Sequence, residues 1–72
     1  MTWHPVEKID DSAMRKYAQV RATIKLIDGR VARLVSWPGH QKRRGRYCRL
    51  ETAAGTRFTV HCRFVESVEE PL

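Results

Sequence analysis

Acidic residues are nearly missing from the body of this chain. Between residues 12 and 65 only Asp28 and Glu51 carry negative charge, against 13 of the sequence's 14 lysines and arginines. The remaining acids sit at the two ends, as Glu7, Asp10 and Asp11 and as Glu66, Glu69 and Glu70, and the formal net charge is +6. This departs from the mixed-sign surface of an ordinary soluble domain. A basic body with acidic ends points to attraction for polyanions, or to ends that compete for the same basic surface.

Long apolar runs are also absent. No stretch approaches the ~18–20 apolar residues of a membrane helix, and the N-terminus lacks the apolar core of a signal peptide. A soluble cytoplasmic protein with reduced thiols is the expectation. Cysteine is scarce: Cys48 and Cys62 are the only two. With His4, His40 and His61 they form no CxxC or HxxxH spacing, so no structural zinc and no other cofactor is expected. The four glycines, Gly29, Gly39, Gly45 and Gly55, are scattered, which excludes a glycine-rich phosphate loop. Ser12, Ser36 and Ser67 lie in no nucleophile motif, and a general base with its orienting group is not legible. The reading is a protein that binds and does not catalyse.

With 72 residues there is room for one domain and a small core. The opening MTWHPVEKI reads as an extended arm over residues 1–9. Asp10 or Asp11 then offers an N-cap, and a helix is expected from about Asp11 to Gln19. Ala13, Met14 and Tyr17 form its narrow apolar stripe, and Ile9 can staple against Met14.

From Val20 the period changes to alternation. Ala22, Ile24 and Leu26 share one face of a strand, and Arg21, Thr23 and Lys25 the other. Asp28-Gly29 is a two-residue hairpin signal. In the following RVARLVSW, Val31, Val35 and Trp37 share one parity and Ala32 and Leu34 the other, the mark of a bulged or strongly bent strand. Pro38-Gly39 ends it, and a basic loop runs over 38–46. YCRLET, a three-residue turn at Ala53-Ala54-Gly55, and TRFTVHCRF make the next hairpin. This turn sets Leu50 opposite Phe58, Cys48 opposite Val60, Glu51 opposite Arg57, Arg49 opposite Thr59 and Tyr47 opposite His61. Phe58, Val60, Cys62 and Phe64 are expected to point inward together. In that register the two cysteines are diagonal neighbours about 7 Å apart, too far for a disulfide and consistent with two buried thiols. A fifth strand lies near Val65–Val68, followed by a frayed tail over 69–72. The expected fold is mainly β: a small Sm/SH3-like five-stranded bent barrel with a short N-terminal helix.

Chemistry is concentrated on the basic surface. Lys42, Arg43, Arg44 and Arg46 make a dense run, and Arg21, Lys25, Arg49, Arg57 and Arg63 take outward strand positions. Tyr47 and His61 add flat side chains among them. Cations neutralise phosphates and flat rings stack on bases, so Lys42, Arg43, Arg44, Arg46, Tyr47, Arg49 and His61 are candidates for binding RNA or single-stranded DNA. Trp37 reads as a barrel plug, and Trp3 as packing for the arm or an exposed anchor. Exposed strand edges leave open a protein-interacting barrel that assembles with copies of itself.

Several segments in order resemble the Rof (YaeO) family of Rho-binding antiterminators. They are Trp3-His4-Pro5-Val6, the acidic pair Asp10-Asp11 before the helix, Leu26-Ile27-Asp28-Gly29, and Tyr47 to Thr52 leading into Ala53-Ala54-Gly55-Thr56-Arg57. The resemblance implies an Sm-like fold and a non-catalytic regulator that binds transcription termination factor Rho and keeps RNA from its primary site. It places the contact on Trp3, Asp10 and Asp11, with the 38–46 loop. Members of that family are acidic, whereas this chain is basic.

Overall fold

The computed structural model describes residues 2–38 and 46–70. In chain order the elements are β1 (Trp3–Pro5), a 3-10 turn (Val6–Lys8), α1 (Asp11–Gln19), β2 (Thr23–Leu26), β3 (Val31–Ser36), β4 (Tyr47–Glu51), β5 (Arg57–His61), a second 3-10 turn (Cys62–Phe64) and β6 (Val65–Glu69). The strands form one antiparallel sheet in the order β1-β6-β2-β3-β4-β5. The five expected strands are present, and part of the expected N-terminal arm supplies a sixth. Trp3, His4 and Pro5 pair with Glu69, Val68 and Ser67, and the Glu70 amide donates to the Thr2 carbonyl. Residues 69 and 70, expected in a frayed tail, are therefore held by pairing with the arm.

Helix α1 covers the expected range. Asp10 is its N-cap, accepting a 2.8 Å hydrogen bond from the Ala13 amide. The helix ends in a left-handed turn. The Arg21 amide donates to the Ala18 carbonyl and the Ala22 amide to the Tyr17 carbonyl, with Arg21 at φ 54°. Glycine is the usual residue there; the Arg21 side chain instead reaches the Val35 carbonyl at 2.6 Å and ties the turn to β3. Strand β2 therefore starts at Thr23, and Val20 is an exposed helix cap.

Both hairpins close with three-residue loops. Ala53-Ala54-Gly55 does so as expected, with Gly55 at φ 89°. At the first hairpin the two-residue expectation is corrected: the Leu26 amide bonds the Arg30 carbonyl, leaving Ile27-Asp28-Gly29 as the loop. Gly29, at φ 94°, takes the left-handed position. The β4–β5 register is the expected one at all five pairs. The irregularity expected in β3 is a register shift between Leu34 and Ser36. Ala32 and Leu34 are buried before it and Trp37 after it, which accounts for the change of parity. A second shift lies at Lys25/Leu26 against β6.

The sheet cannot be flat. β5 and β6 stand four strand spacings apart in the sheet order, about 19 Å if laid flat. Only Cys62–Phe64 connects them, as a 3-10 turn rising about 2 Å per residue. The sheet therefore curls, and beyond β5 the Phe64 carbonyl accepts from the Ile27 amide at the end of β2. Strand pairing leaves β1 and β5 as edges, so the sheet is open. The turn also corrects the expected inward row: Cys62 is buried, but Phe64 is 40% exposed.

The concave side holds the core: Met14, Ala18, Ala22, Ile24, Leu26, Ala32, Leu34, Trp37, Cys48, Leu50, Cys62, Val65 and Val68. Helix α1 packs against β3 and contributes Met14 and Ala18. No helix among the described residues is long and apolar enough to cross a membrane.

Cys48 and Cys62 are buried free thiols. Burial, with the neighbouring Cys62, pushes the Cys48 thiol up to about 12. Burial raises Cys62 as well, against the opposing pull of Arg46. A thiol that ionises later in the folded than in the unfolded chain leaves stability untouched below about pH 9 and lowers it as pH rises toward 12. Denaturant titrations between pH 8 and 11 are expected to show that decline, with a shallower slope in Cys48→Ala. An equal slope in both proteins contradicts the assignment.

Candidate nucleic-acid interface

Alternation along β3, β4 and β5 turns Ala32, Leu34, Cys48, Leu50, Phe58 and Val60 toward the core and sends the residues between them, Val31 included, to the convex face. Register then decides who stands beside whom. One row runs Arg33, Glu51, Arg57; the next runs Ser36, Arg49, Thr59; the last pairs Tyr47 with His61. Arg33, Arg49 and Arg57 are exposed. Glu51 pairs with Arg57 (Nε to Oε2, 3.1 Å) and faces Arg33 in register from the other side. An exposed pair of this kind contributes about 0–1 kcal/mol, so its consequence is the charge it leaves over. Among the described residues, Arg33 and Arg49 form no ion pair, and the face is positive.

Arg33 was not among the candidates read from the sequence. Its signal was available: it lies between Ala32 and Leu34, both buried, so alternation alone sends it outward. Lys42, Arg43 and Arg44 lie outside the described residues.

Tyr47 is 59% exposed, and its ring meets His61 edge-on at 5.3 Å. His61 meets Phe64 the same way at 6.5 Å. The His61 ring lies between two backbone amides. Nδ1 accepts from the Arg63 amide at 3.1 Å, and Nε2 lies 3.3 Å from the Arg46 amide. A neutral imidazole has one accepting nitrogen, so the two amides compete for it. Both ring nitrogens thus face the backbone, and what His61 offers its aromatic neighbours is a fixed ring.

Tyr47, His61 and Phe64 line a groove of about 480 Å³ together with Ile27, Asp28, Arg30 and Thr59. Asp28 is its only carboxylate. It accepts from the Arg30 amide at 3.0 Å and from Arg30 Nε at 2.7 Å. The backbone hydrogen bond first, and the guanidinium after it, hold the Asp28 carboxyl below its usual value. Phe64 and Ile27 were not singled out from the sequence as site residues.

The acidic edge is engaged internally. Asp10 caps α1. The Asp11 side chain, 16% exposed, accepts from Trp37 Nε1 at 2.9 Å and from the Arg46 guanidinium. The Arg46 guanidinium also lies 5.6 Å from the Trp37 ring centre. Asp11 and Arg46, candidates for two different outward contacts, are thus brought together over the buried Trp37. Trp3 is half-buried, with Lys25 Nζ 4.6 Å from its ring centre.

No protein-family model matches the chain, and no curated protein or solved structure matches it at a significant level.

Removing the Asp11 carboxylate takes one acceptor from both Trp37 and Arg46 in a partly buried setting. Asp11→Ala is expected to cost about 1–3 kcal/mol in urea unfolding. Asp10→Ala, which removes a solvent-facing cap bond, is expected to cost about 1 kcal/mol. A smaller loss at Asp11 than at Asp10 contradicts the internal role of Asp11.

Proposed function

We propose that this protein is a non-catalytic binding module that takes single-stranded nucleic acid, RNA or DNA, on its convex sheet face. The observation that carries the reading is the row geometry of β3, β4 and β5. It gathers Arg33, Arg49 and Arg57 beside the exposed Tyr47, with Glu51 the one acid on those strands. Cations at strand spacing neutralise successive phosphates, and an exposed flat ring among them stacks on bases of any sequence. A small barrel of the Sm/SH3-like kind is the architecture we assign to it. The strand order, two bulges, a 3-10 turn before the last strand and the bond between Ile27 and Phe64 support that assignment. Barrels of this size commonly bind single strands on such faces.

Titrating a labelled single-stranded RNA at several salt concentrations tests the reading. Affinity is expected to fall as salt rises. Replacing Arg33, Arg49 and Arg57 together by alanine is expected to flatten the log–log salt slope by about 2, since each phosphate contact adds about 0.7 on a single strand. Binding that is absent at low salt, or a slope the triple variant leaves unchanged, overturns it.

A second reading, a Rof-like regulator that binds Rho and modulates Rho-dependent termination, is supported by one observation. The segments that carry the resemblance fold into ordered elements: the Asp10-capped helix and the two glycine-closed hairpins. Here the contact would use Trp3 and the Asp10 end of α1. On this reading purified Rho retains the protein at low salt, and Asp10→Lys weakens retention. A pull-down with no retention rejects it.

A further inference from the structure

We infer that the groove between Tyr47 and Phe64 is a slot for one unpaired nucleobase. The inference rests on the nucleic-acid reading and names the part of the ligand that this end of the face takes.

Among the described residues, three of the five large exposed apolar side chains, Ile27, Tyr47 and Phe64, line this one groove. They arrive from different elements: the first hairpin loop, the start of β4 and the turn after β5. His61 stands against both rings, at interplanar angles of 71° and 84°. Held through Nδ1 by the Arg63 amide, His61 acts as a positioning residue that sets the two outer rings. The volume of about 480 Å³ falls within the roughly 300–1,000 Å³ of small-ligand sites.

The occupant follows from charge and shape. An apolar peptide side chain would need no cations, yet the groove is bordered by them. Arg63 lies over the Phe64 ring at 5.1 Å, and Arg49 follows Tyr47 on the same face of β4. The single carboxylate, Asp28, is neutralised by Arg30. Flat aromatic walls with a cationic rim fit a base with its phosphates outside. A paired base has its faces covered by its stacked neighbours, so the slot selects single strands.

The test uses a short single-stranded oligonucleotide carrying 2-aminopurine, whose fluorescence is quenched by stacking, and the same sequence as a duplex. The expected result is quenching on binding and clear preference for the single strand. Tyr47→Ala and Phe64→Ala, both at exposed positions, are each expected to lose affinity on the order of tenfold with an unchanged salt slope. Tyr47→Phe, which keeps the ring, is expected to bind as the wild type does. If the oligonucleotide binds with the expected salt slope but without quenching, and both alanine variants bind normally, the slot is wrong and the basic-face reading stands. If the wild type binds neither strand form, both fall together.

Discussion

The structure depends on a length constraint. Three residues connect β5 to β6, although four strand spacings separate those strands in the sheet. No flat arrangement meets both conditions, so the sheet must curl. The curl creates the concave side on which α1 and the core pack. The irregularities in β3 and at the end of β2 supply the bend, because an extra residue on one strand turns it without ending its pairing. The same curl carries Phe64 round to Ile27 and so forms the groove beside Tyr47.

A second level of order is electrostatic. Both acids within the basic body, and Asp11 just before it, engage an arginine: Asp11 with Arg46, Asp28 with Arg30 and Glu51 with Arg57. These pairings have different consequences. Asp28 and Glu51 are tied at the surface, where an ion pair adds little stability. Asp11 is turned inward against Trp37 and joins the helix start to the residues on both sides of the basic loop. With the scarce acids so engaged, Arg33 and Arg49 give the convex face its sign.

Much of this was legible beforehand where local chemistry decides. The Asp10 cap and the change from helical to alternating period set the limits of α1. A three-residue turn ending in glycine fixed the β4–β5 register, and the side-chain period of two agreed, since a one-residue slip turns every apolar side chain to the other face. The parity change in β3 announced its bulge. The failures were of a different kind. Phe58, Val60, Cys62 and Phe64 keep strand alternation unbroken, yet the chain leaves the strand at Cys62 because it must reach β6. Residues 3–5 include a proline and carry no strand signal; they pair because β6 offers them an edge.

The sequence by itself determined where α1 and the two hairpins lie, how the second hairpin registers, and that the surface is basic. These follow from propensity, periodicity and turn chemistry within a few residues. Only the tertiary structure decided that Asp11 faces inward while Asp10 caps, that β1 joins the sheet, and that Tyr47, His61 and Phe64 share one groove. Each of those depends on partners brought close by the curl, and separation along the chain does not encode that proximity.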